Sequence, residues 1–341
     1  MSKKLFKKIS IRFKPINLKP EDEYLFEKEF KKTLPGSRVY KLKNITISNS
    51  VFKKFKYFRI KINHQRMNSI NINTKIRFLF KDFLEIFIIK KNKKTNTIEK
   101  GIWVIDSRSN QYFHWMTDAL QRIFAAKEYN SEYPILLTSN FKNNPFVEES
   151  LKLLNLNHIQ LDHEKQYLIK EFILSERVTP AGNYRVDIIN QIADELKSTK
   201  ENLNSDLKME RIWISRQKVE RRKINNFDDI EEILQKYKFH ILEFETYKLP
   251  EQILMLKNCK VLGGVHGAGL TNMLFMPKNS KILEVRAKND DKNNCFFSLA
   301  SDLKMKYYYF LSSTDDENFY STNHHIDKGL FEDFIRKSLD N

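Results

Sequence analysis

The residues of this sequence that most clearly suggest a chemical role are a histidine and the glycines around it. The chain has 341 residues and eight glycines, and four of these glycines stand at positions 263, 264, 267 and 269, around His266. The stretch 261–285, VLGGVHGAGLTNMLFMPKNSKILEV, predicts a strand, a glycine turn and the onset of a helix. Glycines allow unusual backbone angles and a close approach of phosphate, and free amides at the positive end of a helix bind anions. The groups predicted to bind phosphate are the His266 ring and the amides of Gly267, Ala268, Gly269 and Leu270.

This loop matches neither of two common phosphate-binding patterns. It lacks the Gly-Lys-Ser/Thr end of a Walker loop and the GxGxxG spacing of a dinucleotide fingerprint. The alternative interpretation is a structural turn with a packed histidine. Because strand, glycines, histidine and helix onset coincide, the pattern favours phosphate binding.

Several arginines follow the predicted strand RIWIS, which comes before the glycine loop in the chain. Arg216 ends the stretch RIWISR, and this strand would reach the same carboxyl edge of the sheet as the glycine loop. Arginine makes planar, bidentate contacts with phosphate, so Arg216 is the first candidate for a phosphate ligand. One of the next two arginines is the second candidate, with Arg221 selected and Arg222 as its alternative. The competing interpretation is a solvated basic loop.

A second polar group lies on the predicted helix YFHWMTDALQRIFAAKEY. His114 and Asp118 are four residues apart and Arg122 continues the stripe, so the three side chains share one helix face. An imidazole, a carboxylate and a guanidinium are costly to bury without a purpose. The alternative is a surface stripe whose i,i+4 pair contributes about 0.2–0.5 kcal/mol.

Two carboxylates near the edge of the predicted sheet, Glu251 and Glu284, are candidates for binding a nucleotide or sugar. A carboxylate at this place can accept hydrogen bonds from ribose hydroxyls. Glu251 also begins a helix, where the dipole alone favours an acidic residue. Asn272 and Thr271 are in the first turn after the glycines, where they either cap the helix or contact the ligand.

The elements that must position these residues form two α/β alternations. Short apolar strands alternate with amphipathic helices from Gly101 to about residue 175 and again from Arg211 onward, which is typical of parallel sheets covered by helices. We therefore predict an α/β fold with two Rossmann-like domains facing across a cleft, where a ligand would bind. The predicted domains are 1–185, with a β-rich start, and 186–318, which binds the nucleotide. The segment 319–341 is predicted as a helix that packs back on the N-terminal domain.

Composition restricts the partners. Sixty Lys and Arg against 43 Asp and Glu give a formal net charge of +17, which favours anionic partners such as phosphorylated molecules, nucleic acid or an anionic membrane surface. Two cysteines cannot form a disulfide framework, and no apolar run reaches the roughly 20 residues of a membrane span. We expect a cytoplasmic protein whose basic N-terminal segment makes a peripheral contact with the inner, anionic face of the membrane.

The motifs described above resemble those of glycosyltransferase family 61. HGAGLTN is similar to the signature of that family, and WISRQKVERRKINN resembles its SR…RR…N segment. LPEQILMLKNCK, FMPKNSKILEV and the upstream YFHWMTDALQRI match further parts in the same order. Asn226 and Gly264 depart from the family pattern, and the first hundred residues match nothing in it.

The resemblance implies an inverting sugar transferase of GT-B fold that takes a nucleotide-diphosphate sugar, with UDP favoured, and a glycan or glycolipid acceptor. Bacterial members are linked to capsular polysaccharide synthesis. For this reaction Asp118 is the first candidate for the general base and His114 the second, and Arg122 would contact the acceptor. Because no convincing Asp-x-Asp motif ends a strand, cations of the protein would stabilise the departing diphosphate. No metal and no cofactor are expected.

Two other functions remain open at this stage. A GT-B-fold nucleotide-sugar epimerase would bind the same donor but consume no acceptor. A basic nucleic-acid-binding protein would fit the net charge, but the aromatic residues are not interleaved with basic ones in a recognisable RNA motif. We therefore expect no nucleic-acid partner.

Overall fold

The computed structural model describes residues 2–47, 95–162, 164–198, 209–316 and 321–340. The chain divides into unit 1, Met1–Phe6 with Pro35–Val178, and unit 2, Lys7–Leu34 with Thr179–Asn341. The β-rich start predicted for the first domain extends into residues 48–94, which lie outside the described residues. The polar stretch KENLNSDLKMER at 200–211, which the sequence predicts as a linker, lies mostly outside them as well.

Strands of both units follow the predicted alternation closely. The strands are β1 (Ser2–Leu5), β2 (Lys8–Ile11), β3 (Lys31–Leu34), β4 (Ser37–Ile47), β5 (Thr95–Trp103), β6 (Ile135–Leu137), β7 (His158–Gln160), β8 (Gln166–Ser175), β9 (Arg211–Ile214), β10 (His240–Leu242), β11 (Val261–Val265), β12 (Lys281–Ala287), β13 (Lys306–Thr314) and β14 (His324–His325).

Unit 1 contains a mixed six-stranded sheet in the order β1-β4-β8-β5-β6-β7. Strands β8, β5, β6 and β7 run parallel, and β4 runs antiparallel to both β1 and β8. Helices connect β5 to β6 and β6 to β7, so this part consists of successive βαβ units. The parallel α/β character predicted for this half is confirmed.

Unit 2 contains a six-stranded sheet in the order β10-β9-β11-β12-β13-β14, in which only the edge strand β14 is antiparallel. Numbered from β9, the parallel strands have the order 2-1-3-4-5 of a doubly wound, Rossmann-like fold. All five residues of β11 are buried, as expected for a strand covered on both faces. The order reverses between β9 and β11, and ligands of such folds bind at this switch point.

The helices predicted after Gly101 are present, with a π-helix within one of them in unit 1 and a 3-10 helix after the glycine loop in unit 2. The described α-helices are Glu27–Phe30, Tyr112–His114, Leu120–Ala125, Pro145–Leu153, Val186–Ser198, Phe227–Lys236, Leu249–Leu256, Cys295–Asp302 and Lys328–Asp340. A π-helix covers Trp115–Ala119, and 3-10 helices cover Pro20–Leu25, Lys127–Tyr129, Ser139–Phe141, Phe244–Thr246 and Ala268–Phe275. None of these helices is long and apolar enough to cross a membrane.

The last helix does not follow the predicted packing. Phe331 and Ile335 belong to a buried cluster with Trp213 and Phe310 of the unit 2 sheet, and the Phe331 ring lies edge-on to Trp213 at a centroid distance of 5.6 Å. The prediction that this helix packs on the N-terminal domain is therefore wrong, because its apolar stripe completes the core of unit 2.

The predicted domain boundary at residue 185 also needs correction. Unit 1 ends at Val178, and Lys7–Leu34 belongs to unit 2. The buried Arg12 explains this assignment, because its guanidinium contacts Asp302 at 3.4 Å and Asn183 at 3.0 Å. A buried charge must be paired where it is buried, so these contacts hold the N-terminal segment in unit 2.

Candidate functional site

Arg216 and His266 lie at the switch point of the unit 2 sheet. Strands β9 and β11 are parallel neighbours in which Ile214 is opposite Gly264. Arg216 follows the carboxyl end of β9, and His266 follows that of β11. A Cβ on Gly267 would lie 2.6 Å from Arg216 Nη1. The glycine therefore leaves room for the guanidinium beside the loop, and the predicted neighbourhood of Arg216 and His266 is confirmed.

The glycines of the loop serve close packing and do not need unusual backbone angles. Gly267 has a φ of 179°, which is extended backbone, and among the described glycines a φ in the left-handed region is recorded only for Gly182. A Cβ on Gly263 would lie 2.5 Å from the Trp213 ring, and one on Gly269 would lie 3.0 Å from Ile214. The prediction that these glycines supply unusual backbone angles is corrected accordingly.

Arg222 contacts the glycine loop, whereas Arg221 is exposed. Arg222 adopts a left-handed φ of 60°, and its Nη1 donates to the His266 carbonyl at 2.7 Å. Such a backbone conformation is uncommon for a residue with a side chain and is retained where surrounding contacts hold it. The structure thus brings Arg222 to Arg216 and His266 and leaves the selected Arg221 at the surface.

Two half-buried arginines, Arg216 and Arg222, define the electrostatics of this site. Burial, followed by the charge of Arg222, lowers the pKa of Arg216 to about 10, and burial also lowers the pKa of Arg222. Both arginines stay charged at neutral pH. The Nε atoms of both are buried and have no hydrogen-bond partner among the described residues. Adjacent half-buried guanidiniums suit a bound anion such as a diphosphate.

Glu284 orients His266 from beneath the loop. Its carboxylate is fully buried and accepts hydrogen bonds from His266 Nδ1 and from the Tyr307 hydroxyl. This contact fixes the ring and leaves Nε2 as the nitrogen that can reach a ligand. Glu284 was predicted to contact the nucleotide or sugar. In the structure it accepts hydrogen bonds from protein groups instead, because it lies inside β12.

Three further residues that were predicted to bind the donor make hydrogen bonds to nearby protein groups instead. Leu270 N donates to the Gly267 carbonyl at 3.0 Å, since a 3-10 turn uses this amide one residue earlier than an α-helix does. Glu251 accepts from Lys248 N at 2.7 Å in a capping box. The buried Asn272 donates to Gln252 Oε1 at 2.8 Å. The amides of Gly267, Ala268 and Gly269 remain candidates for anion binding.

In unit 1, His114 and Asp118 contact each other as predicted. His114 Nδ1 lies 2.8 Å from Asp118 Oδ2 across the junction of the α-helix and the π-helix. π-Helical turns are frequent at functional sites. The His114 side chain is 13% exposed and that of Asp118 is 1% exposed, so the imidazole is the more accessible group.

A chain of buried ion pairs continues from Asp118. Arg177 Nη1 donates to Asp118 Oδ2 at 3.0 Å, and its Nη2 donates to Asp106 Oδ2. Arg122 donates to the same Asp106 oxygen at 2.6 Å and to the Val104 carbonyl at 2.8 Å. Arg122 is therefore buried in this network and is not placed as an open contact for an acceptor.

Sequence reasoning did not identify Arg177 and Asp106. Each follows the carboxyl end of a buried parallel strand, β8 and β5 respectively, and this position is where functional side chains of α/β sheets gather. The charged residues directly after these predicted strands were the available signal. No group of three or more His, Cys, Asp or Glu side chains that could hold a metal ion occurs within the described ranges.

Comparisons with known proteins agree with this geometry. Residues 112–283, half of the chain, match the family described as glycosyltransferase 61. The beta-1,2-xylosyltransferase XAX1 of Oryza sativa subsp. japonica is 22% identical over 265 residues, which are 70% of this chain and 47% of the rice protein. The chain thus spans about half the length of this relative. The matched region begins at the His114 helix and ends in β12, one residue before Glu284. It contains most of the basic and acidic residues described above, and only Asp106 and Glu284 of these two groups lie outside it. This chain belongs to glycosyltransferase family 61.

Proposed function

We propose that the protein is an inverting glycosyltransferase that takes its sugar from a nucleotide-diphosphate donor, bound at the switch point of unit 2. The observation that carries this proposal is the pair of half-buried guanidiniums, Arg216 and Arg222, which lie beside the His266 loop. A diphosphate offers the charge and acceptor oxygens that these groups lack. In the reaction these cations stabilise the charge that develops on the leaving diphosphate.

For the acceptor side of the reaction we propose His114 as the general base and Asp118 as the residue that orients it. Asp118 Oδ2 holds His114 Nδ1 at 2.8 Å, so Nε2 is the ring atom that can accept a proton. The acceptor hydroxyl loses its proton to Nε2 while its oxygen attacks the anomeric carbon. The bond from that carbon to the diphosphate oxygen breaks in the same displacement, which inverts the configuration. The sequence alone ranked Asp118 first and His114 second as the general base, and this proposal exchanges the two.

Family membership supports a choice of donor and acceptor classes. We propose a UDP-sugar donor and a glycan or glycolipid hydroxyl as acceptor, within the GT-B arrangement of the family and in the synthesis of a surface or capsular polysaccharide. The name of the rice relative makes UDP-xylose a necessary member of any donor panel. No metal is proposed for the reaction.

We expect donor binding to depend on Arg222 and not on its neighbour Arg221. A nucleotide sugar present at about 100 times its Kd stabilises a folded protein by about 2.7 kcal/mol, which a thermal-shift assay detects. Removing a charge-assisted hydrogen bond costs about 1.5–3 kcal/mol, so Arg222→Ala should weaken binding about 10- to 100-fold. The measurement is a thermal-shift panel of UDP-, GDP- and TDP-sugars, with and without EDTA.

The matched control for this experiment is Arg221→Ala, which removes the same charge from the exposed position. It should retain the shift of the wild type, and EDTA should leave that shift unchanged. Equal losses in Arg221→Ala and Arg222→Ala would mean that only the net charge of the loop matters. A shift accompanied by donor turnover without any acceptor-dependent product would favour the epimerase.

A separate proposal concerns the N-terminal segment of unit 2, where strand β2 and the residues after it expose apolar side chains and bury polar ones. Ser10 donates to the buried Asp302 at 3.0 Å, and Arg12 points inward beside it. The outward side chains are Ile9, Ile11 and Phe13, which are 54%, 78% and 69% exposed. The exposed Lys31 is opposite Ile11 in the register of β2 and β3. Apolar groups next to lysine suit an anionic lipid surface, and we propose that this face contacts it.

Vesicle binding should follow these outward residues. The wild type is expected to sediment with vesicles of phosphatidylcholine and phosphatidylglycerol and much less with phosphatidylcholine alone. The double variant Ile11→Ser, Phe13→Ser should lose most of this binding, because burial of such side chains contributes about 1.5–3 kcal/mol each. Binding that ignores both the anionic lipid and the substitutions would contradict the membrane contact.

A further inference from the structure

Arg177 lies between the two carboxylates of the ion-pair network in unit 1. Its Nη1 donates to Asp118 Oδ2 at 3.0 Å, and its Nη2 donates to Asp106 Oδ2. The side chain is only 11% exposed, and burying a guanidinium to this extent is costly unless it is paired. The proton transfer proposed above uses His114 and Asp118 and leaves the role of this arginine open.

Arg177 affects which nitrogen of His114 carries hydrogen. Burial opposes the charge of Arg177, but Asp118 and Asp106 raise its pKa, so the guanidinium stays charged. A carboxyl that accepts from a charged guanidinium is bound most strongly as the carboxylate, which can only accept. The contact from Asp118 Oδ2 to His114 Nδ1 at 2.8 Å then has its hydrogen on the ring. A neutral ring of this kind has a free lone pair on Nε2, which is the form that a general base needs.

The network is electrically balanced when the His114 ring is neutral. Its positive charges belong to Arg177 and Arg122, and its negative charges belong to Asp118 and Asp106. Both arginines donate to Asp106, and Arg177 also donates to Asp118. Arg177 is therefore the cation that directly balances the carboxylate of the proposed base pair.

Three other ionisable groups near the network do not change this balance. Glu176, beside Arg177 in the chain, accepts from a backbone amide of β4 at 2.8 Å. Arg108 is exposed to solvent. Burial raises the pKa of Tyr112, so its hydroxyl, in the same turn as His114, stays neutral. The charge beside the ring is therefore set by the two arginines and the two aspartates.

Without the charge of Arg177, the network would have one uncompensated negative charge. A buried net charge is costly and is removed by a change of protonation where one is possible. Imidazole is the more basic group of the pair His114 and Asp118, so it would take up a proton from solvent at Nε2. A ring with hydrogens on both nitrogens cannot accept a proton from the acceptor hydroxyl.

We propose that Arg177 is a positioning residue of the transfer reaction, whose charge keeps His114 neutral, with its hydrogen on Nδ1 and with Nε2 open to the acceptor hydroxyl. Arg177 acts on the reaction through Asp118. This inference rests on the proposed function, since it takes His114 as the general base. A purely structural arginine would stabilise the fold without affecting the protonation of the ring, and the experiment separates these two roles.

The test compares two substitutions that break the same ion pair and change the charge of the network in opposite directions. Arg177→Met removes the positive partner, and Asp106→Asn removes the negative one. In nuclear magnetic resonance spectra of the full chain labelled with ¹⁵N-histidine, His114 at pH 7 should carry hydrogen on Nδ1 only in the wild type and in Asp106→Asn. In Arg177→Met it should carry hydrogen on both nitrogens. Comparison with His114→Gln assigns the signal.

Two results of these spectra would overturn the proposal. One is a wild-type His114 ring with hydrogen on Nε2 at pH 7, a result that needs no variant to fold. The other is the same ring protonation in Arg177→Met and Asp106→Asn, which a purely structural role predicts. Arg177→Lys keeps the positive charge and should keep the wild-type protonation, so it serves as the conservative control.

The pH profile of sugar transfer gives a second readout. With UDP-glucose or UDP-xylose and a glycan acceptor panel, Arg177→Met should lose about tenfold or more in rate at pH 7 and recover about one pH unit or more higher, where the added proton is lost. If His114→Gln loses transfer but the ring and the profile ignore Arg177→Met, the proposed base stands and this inference fails. If His114→Gln keeps transfer, the proposed base is wrong and the role of Arg177 fails with it.

Discussion

Replacing His114 with glutamine is expected to lower the rate of sugar transfer by about a thousandfold and to leave donor binding unchanged. General base catalysis by a positioned side chain contributes about 10²- to 10⁴-fold. The imidazole is held at Nδ1 by Asp118 at 2.8 Å, and glutamine keeps a polar side chain of similar reach without a basic nitrogen. The measurement is release of the nucleoside diphosphate in the presence of a glycan acceptor panel, together with the donor thermal shift of the same variant.

A matched control for this experiment is available in the same unit. His158→Gln makes the same chemical change at an exposed position in β7 and should keep the wild-type rate. Retention of transfer by His114→Gln would contradict the assignment and make the Asp118 carboxylate the base. Loss of both transfer and donor binding would show that the substitution disturbs the fold and not the proton transfer.

The parallel sheets could be predicted from the sequence because their strands are short, apolar and separated by helical patterns. In unit 2, Ile230, Ile233 and Leu234 have helical spacing and are all buried in Phe227–Lys236. The position of Arg216 beyond β9 followed from the same pattern, because parallel strands have a common carboxyl edge. These inferences needed only local periodicity and the topology of doubly wound folds.

The choice between Arg221 and Arg222 could not be made from the sequence. The two residues are adjacent and identical, and the left-handed φ of 60° at Arg222 decides which guanidinium reaches the His266 carbonyl. A backbone conformation of this kind depends on tertiary contacts, such as the hydrogen bond from Lys223 N to Asn323 Oδ1 at 3.0 Å. The partner residue lies a hundred positions away in the chain.

The role of Glu284 was also not accessible from the sequence. A carboxylate near a sheet edge can face a ligand or face the protein, and in β12 Glu284 shares its face of the strand with the apolar Ile282 and the charged Arg286. The structure shows that it accepts from His266 and Tyr307 within the core. Sequence periodicity predicts that a residue is in a strand, whereas its partners across the sheet depend on register and on side chains from other strands.

The same limit applied to the long helix predicted for residues 112–129. The prediction that His114, Asp118 and Arg122 share one face required a regular α-helix, but a π-helix covers Trp115–Ala119. Arg122 is consequently directed to Asp106 and the Val104 carbonyl. This network is the basis of a second large expected effect, on stability.

Substitution of Asp106 by asparagine should lower the free energy of unfolding by about 3–5 kcal/mol, the cost of leaving buried charges without their partner. Asp106 Oδ2 accepts from both Arg122 and Arg177. Burial opposes ionisation of this carboxyl, but the two arginines hold the pKa of Asp106 well below its usual range. The measurement is urea unfolding followed by circular dichroism and by tryptophan fluorescence.

The pH dependence of this effect has a definite sign and supplies the control. A carboxyl whose pKa is lower in the folded protein stabilises the fold above its unfolded pKa of about 3.9 and loses that contribution as the pH falls through its folded pKa. The difference between wild type and Asp106→Asn should therefore be constant from pH 7 to 5 and shrink below about pH 4. Glu132→Gln, which removes the carboxylate of an exposed pair with Lys100 in the same unit, should leave the free energy of unfolding almost unchanged. Equal losses in the two variants would mean that the buried arginines gain no more from Asp106 than a surface lysine gains from its partner.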